Sequence, residues 1–172
     1  MRVVVVHLKM KVLLTVMLVC LMPFASWASE LEVADHVIVK KSERKLILLK
    51  NQRVLRTMDI SLGLMPDGDK RAEGDFRTPE GRYQLTKRNP ASDFFLSIQI
   101  SYPSDQDVRE ASALGLSPGG QIMIHGLPND PRHNLDYYQQ VDWTDGCIAV
   151  TNADMVDIWL MTGAGTLVDI LP

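Results

Sequence analysis

WTDGCIAVTN, residues 143–152, puts Cys147 directly after a glycine and before the apolar residues Ile148 and Val150. It is one of two cysteines in the chain; the other, Cys20, lies in an apolar N-terminal run. Such a cysteine reads in two ways. It is either a small buried apolar residue or a nucleophile at a turn that Gly146 leaves open. Downstream, NADMVDIWLM (152–161) predicts a helix. Asn152 is a suitable N-cap, Met155, Val156, Ile158 and Trp159 supply an apolar side, and Gly163 is a plausible stop. Thr166–Leu171 reads as a terminal strand.

Working upstream, Gln121–His125 (QIMIH) is a short strand that delivers His125 to a Gly–Leu–Pro turn. Residues 127–143 between these segments form a long loop, a length usually tied to function in a compact domain. Ser97–Tyr102 alternates as a strand until Pro103, and Asp107–Leu114 is a short helix candidate. Residues 63–81 are rich in Gly, Pro and Asp and read as loops, followed by strand-like Arg82–Thr86. His36–Lys40, Lys45–Leu49 and Val54–Ile60 form a β-meander. Its basic residues Arg44, Lys45, Lys50 and Arg53 suit a solvated outer sheet face. The balance is mostly β with one or two short helices.

The N-terminus has a different character. Arg2, Lys9 and Lys11 precede VLLTVMLVCL (12–21), and Ser26 and Ala28 stand at the −3 and −1 positions of a small-residue cleavage site. That pattern marks residues 1–28 as a secretory signal peptide and 29–172 as the mature domain. The apolar run is short of the ~20 residues a membrane-spanning helix needs, so no span is expected after cleavage. Met10 would also start a complete signal. Val19 before Cys20 does not suit a lipobox. Cleavage leaves 15 basic against 21 acidic residues, a formal charge of −6, and a single cysteine. No basic patch for nucleic acid remains. A lone thiol in an oxidising compartment is buried and inert, paired with another chain, or reactive.

Reactivity would require specific partners. A thiol is mostly protonated near neutral pH and needs a base or a cation to become thiolate. A histidine from another element, here His125, can serve. Backbone N–H groups around Asp145, Gly146 and Cys147 can face a developing oxyanion. The following helix N-terminus also favours negative charge. Zinc bound by His125, His133 and Cys147 matches no common structural spacing and lacks an evident fourth ligand, so no metal is expected.

Together these segments resemble the L,D-transpeptidase catalytic domain, or YkuD, family. The resemblance rests on His125–Gly126, then Thr144–Asp145–Gly146–Cys147–Ile148, then Asn152. Thr78–Pro79–Glu80–Gly81–Arg82–Tyr83 is similar to the family's upstream T-P-x-G-x-[F/Y] segment, and Ser61–Leu62–Gly63 closes a family-like opening meander. It covers about residues 36–171. It implies a YkuD-like β-sandwich working on peptidoglycan in the periplasm or cell envelope, without a cofactor. By the same resemblance Cys147 is the nucleophile. It attacks the third residue of a tetrapeptide stem, expels the terminal D-Ala and forms a thioester that an amine resolves. His125 would be the base, oriented by the backbone carbonyl of Gly126, with Asp145 and Gly146 at the oxyanion hole. Thr144, Arg132, Tyr138 and Trp143 are candidate substrate contacts.

Two departures stand out. Asp145 replaces a histidine frequent in the family, and Ala149 replaces an arginine. Arg132, Arg77 or Arg82 could stand in for that arginine. The acceptor could be another peptidoglycan stem peptide, a free D-amino acid or the lysine of an envelope lipoprotein. With water as acceptor the chain would be a hydrolase, trimming stems or releasing attached protein. An inactive peptidoglycan-binding domain using Tyr137, Tyr138 and Trp143 is the alternative of another class.

Overall fold

The structure, a computed structural model, describes residues 31–172. The expected signal segment therefore lies outside the described residues. Among these, no helix is long and apolar enough to cross a membrane.

The chain opens with β1 (His36–Lys40), β2 (Lys45–Lys50) and β3 (Arg53–Asp59), the expected meander. β1 and β2 pair antiparallel with Val37 opposite Leu48 and Val39 opposite Leu46. All four side chains are buried. Alternation puts them on one face, and each such burial stabilises the fold by about 2 kcal/mol. The basic residues of the meander are not simply solvated. Lys45 meets Asp59, Lys50 meets Asp35 and Arg53 meets Glu32. Arg44 is half-buried and grips Asp142, at the far end of loop 127–143, with Nη2 2.7 Å from Oδ2.

β4 (Gly81–Ser92) and β5 (Phe95–Ile100) follow, then α1 (Asp105–Ala113), β6 (Met123–His125), α2 (Tyr137–Gln140), β7 (Ile148–Ala149), α3 (Asn152–Met161) and β8 (Leu167–Leu171). The strand order is β3-β2-β1-β8-β4-β5-β6-β7. β4 belongs to two ladders. Gly81–Gln84 pairs with β8, and the rest pairs with β5. It runs well past the expected Thr86. Register shifts on either side of Arg88–Asn89 let the β5 pairing continue past Pro90, which cannot donate to a ladder. Val168 of β8, Ile98 of β5, Ile124 of β6 and Met155 of α3 share one core with β1 and β2. The two ladders thus close over a common apolar interior, as a mostly β sandwich requires.

The described residues hold three short helices, where one or two were expected, because α2 lies inside loop 127–143. α1 starts at a capping box between Ser104 and Asp107. α3 is capped by Thr151, whose hydroxyl accepts from Asp154 N at 3.1 Å, and not by Asn152. Val156 faces outward, and Met161 joins Met155 and Ile158 on the buried side. Upstream, the Gly63 N–H donates to Thr78 Oγ1 at 3.2 Å. Buried Lys41 donates to the carbonyls of Gly68 and Thr78 at 2.6 and 2.9 Å, and to Glu80 Oε1 at 2.8 Å. The SLG and TPEG segments are therefore laced together, with every bond of the buried ammonium satisfied.

Candidate active site

β6 and β7 are the last two strands of the order and run parallel, with Ile124 beside Ile148 and His125 beside Ala149. That pairing brings the two conspicuous sequence segments together. Cys147 immediately precedes β7, and its Sγ accepts the Met123 N–H at 3.4 Å. Its S–H lies 3.8 Å from the Gln121 carbonyl. Met123 and His125 are two residues apart on β6, so their side chains share a face. Cys147 and His125 line one cleft of about 440 Å³.

His125 is 4% exposed. Its Nδ1 is 2.7 Å from the Gly126 carbonyl. A carbonyl only accepts, so Nδ1 carries the proton and Nε2 keeps a lone pair. Burial strips solvent from an imidazolium and pushes the pKa down to about 4, against a small upward pull from the Gly126 bond. The ring also packs on Phe94 and Trp143, with centroids 4.7 and 5.6 Å away.

The half-buried Cys147 thiol is pushed up, first by desolvation. The Met123 N–H pulls it down, the Asp145 carboxylate pushes it up and the Lys70 ammonium pulls it down. Lys70 is buried, bonded to Ala72 O at 3.0 Å and Asp75 Oδ1 at 2.7 Å. It lines a second opening onto Cys147 of about 290 Å³ with Glu73 and Gln121. The two shifts favour a resting pair of neutral thiol and neutral imidazole. With the shifts in these directions, passage of the thiol proton to Nε2 is uphill at rest and would have to be concerted with attack on a carbonyl.

The loop around Cys147 is held by Thr144. This buried residue donates to the Cys147 carbonyl at 2.7 Å and accepts the Gly146 N–H at 3.1 Å. The Gly146 N–H is thus occupied. Among the described residues the N–H groups of Asp145 and Cys147 make no backbone hydrogen bond. Gly146 has φ +126°, and a Cβ there would meet the Arg77 carbonyl at 2.6 Å. Only glycine fits that turn. Gly126 is constrained likewise, since a Cβ would lie 2.6 Å from Asn152 Oδ1. That oxygen accepts the Leu127 N–H at 2.8 Å. Asn152 thus acts on the histidine turn rather than on its own helix.

The other sequence candidates divide. Trp143, Thr144 and exposed Asp145 line the cleft that holds Cys147 and His125. Arg132 and Tyr138 line a neighbouring cleft of about 640 Å³. Tyr138 is buried, its hydroxyl accepting the Arg132 N–H at 2.9 Å. Arg82 is bound to Asp169 on β8, and Arg77 reaches the Asp67 carbonyl; neither lines a cleft at Cys147. Ala149 is buried and bridged to Ser61, so that position faces no substrate space. His133 sits against Tyr137 in the neighbouring cleft, and no cluster of three metal-ligating side chains occurs among the described residues. Asp93 and Phe94, at the β4–β5 turn, line the same cleft but are not signalled by the sequence; an SDFF turn carries no chemical signature.

The sequence matches the family model of the L,D-transpeptidase catalytic domain (YkuD) over residues 34–170. The chain therefore belongs to the YkuD family. No curated protein sequence matches it. Among solved structures it resembles the helical cell shape determining protein Pgp2 from Campylobacter jejuni, at 28% identity and a TM-score of 0.60. That match covers 81% of this chain and 48% of that one, so the chain spans about half the length of Pgp2. Bd1075 from Bdellovibrio bacteriovorus matches at 21% identity and a TM-score of 0.55, over 82% of this chain and 51% of that one. An L,D-transpeptidase from Xylanimonas cellulosilytica matches at 16% identity and a TM-score of 0.52, over 81% and 61%. The last two likenesses show a shared fold.

Proposed function

We propose that the chain is an exported cysteine L,D-transpeptidase acting on peptidoglycan tetrapeptide stems in the cell envelope. The observation that carries this reading is the β6–β7 pairing, which sets Cys147 and a neutral His125 in one cleft. Cys147 Sγ attacks the carbonyl of the third stem residue while its proton passes to His125 Nε2. The C–N bond to the terminal D-Ala then breaks, and the proton passes to the leaving amine. The N–H groups of Asp145 and Cys147 hold the oxyanion. An amine acceptor next attacks the thioester, gives up a proton to His125 and releases the thiolate. Exposed carboxylates of Asp93 and Asp145 border the cleft and attract an amine acceptor in its cationic form over water; that amine gives one proton to solvent before it attacks and the second to His125.

The test is incubation with disaccharide tetrapeptide, followed by mass spectrometry of products and protein. Cross-linked dimers and an acylated Cys147 support transfer. Tripeptide without dimers assigns the acceptor role to water. An unmodified protein that behaves like Cys147→Ala removes the enzymatic reading. A carbapenem should likewise acylate wild type and leave Cys147→Ala untouched.

A further inference from the structure

The 640 Å³ cleft beside the catalytic one has no part in the chemistry above. Phe94, Trp143 and Asp93 belong to both clefts, so the two are continuous. A chain of ring contacts leads from one to the other. His125 touches Phe94 and Trp143, Trp143 touches Tyr138 at 5.1 Å, Tyr138 touches Tyr137 at 5.5 Å, and Tyr137 lies against His133 at 4.2 Å. Tyr138 is used up in holding the loop. Its carbonyl accepts from Ser61 Oγ and from Trp143 Nε1, at 2.7 and 3.1 Å. Tyr137 is different: 39% exposed, with its ring at the cleft wall. Around the rings stand Asp93, Asp130 and Arg132, all exposed and in no ion pair among the described residues.

We propose that this cleft is a saccharide subsite, in which a sugar of the glycan strand stacks on Tyr137 while its linked stem reaches Cys147. Exposed aromatic faces with unpaired carboxylate and guanidinium groups at the rim suit a pyranose. The C–H face of the ring lies on the negative π-face, and its hydroxyls donate to Asp93 or Asp130 and accept from Arg132. An amine acceptor would use the carboxylates but has no use for the aromatic ribbon. The stem joins the sugar at its first residue and is attacked at its third, and three extended residues span about 10 Å. The two clefts share the wall formed by Asp93, Phe94 and Trp143, so a sugar in one and its stem in the other would occupy continuous space. The inference rests on the peptidoglycan reading for its substrate, but saccharide binding needs no turnover and can be measured separately.

The experiment has two readouts on the full chain. The first is titration of wild type and Cys147→Ala with stem-free GlcNAc–MurNAc oligosaccharide, followed by calorimetry. Both should bind saturably, and Tyr137→Ala should weaken binding about tenfold while Tyr137→Phe retains it. The second is the ratio of kcat/KM for disaccharide tetrapeptide to that for free tetrapeptide. It should be about tenfold in wild type and fall towards one in Tyr137→Ala. Absence of saturable binding, or equal binding by Tyr137→Ala, overturns the subsite. So does a Tyr137→Ala variant whose KM rises for the amine acceptor while the ratio stays put. Loss of all turnover with oligosaccharide binding intact would instead sink the transpeptidase reading and leave the subsite standing.

Discussion

The two ends of the strand order are held by different means. At the β3-β2-β1-β8 end, strands of five to seven residues pair along their length over an apolar face, with a single register shift in the β2–β3 ladder between Leu48 and Leu49. At the β6–β7 end the strands have three and two residues. There the backbone is fixed by side chains: Thr144 across the Cys147 loop, Asn152 across the histidine turn, Asp142 to Leu62 N at 2.8 Å, and Ser61 to the Tyr138 carbonyl. Burial stabilises both ends, since Ile124 and Ile148 are also fully buried, and the β6–β7 end adds these specific polar bonds. The ladder end can lose a contact and keep its geometry. The β6–β7 end, where the proposed site lies, has little redundancy, so a substitution there should cost function before stability.

The sharpest break of this contrast is His125→Gln. Loss of the proposed general base should lower turnover about 10²–10⁴-fold. Thermal unfolding at pH 7 should move far less. An equal loss of both would mean that His125 is a core residue first, and the contrast would fail.

The opposite break is Leu48→Ala. Leu48 is fully buried opposite Val37. Truncation should cost about 2–5 kcal/mol in denaturant unfolding. The kcat per folded molecule, measured well below the new midpoint, should stay near wild type. A matching fall in kcat would show that the ladder transmits strain to the cleft.

This division also explains what the sequence disclosed. Short apolar-rich runs separated by turn residues located β1 and β2 almost to the residue. Cys147 and His125 stood out because their residue types are rare and reactive, and the family resemblance supplied their pairing. Loop 127–143 was visible as a loop, but α2 within it was not. Its four residues YYQQ have no side-chain cap bond and are placed by the Tyr138 contacts. β7 escaped because two buried residues make no pattern. Asn152 looked like a helix cap because position and type agreed, while its partner, Leu127, is 25 residues away. Polar bonds across such separations leave no periodic trace in the chain.

A smaller effect should come with pH. Burial lowers the His125 pKa from 6.5 to about 4. The unfolded chain therefore binds the extra proton between those values and the folded chain does not. The stabilisation is complete above pH 6.5 and is lost as pH falls towards 4, at most about 3 kcal/mol. Chemical denaturation at steps across that window should show the slope in wild type and not in His125→Gln. Turnover should also persist to about pH 5, since His125 stays neutral there. An acid limb near 6.5 would place the imidazole in solvent and undo the resting pair of neutral groups.

The finest test targets one bond at the catalytic end. Asn152 Oδ1 holds the Leu127 N–H, just past the carbonyl of Gly126 that sets the imidazole tautomer. Asn152→Ala leaves that partly buried N–H unpaired, at a cost of about 1–2 kcal/mol. Helix α3 keeps its own cap, because Thr151 supplies it. The loss should therefore appear as a looser Gly126–Leu127 turn and a lower kcat, with little change in KM. Asn152→Asp keeps an oxygen at the same place and adds negative charge at a helix N-terminus, which the helix dipole favours. It should recover most of the kcat. If Asn152→Ala lowers stability and leaves kcat alone, the turn is fixed by Phe94, whose carbonyl accepts the Gly126 N–H at 3.1 Å, and the β4–β5 turn becomes the element that positions the base.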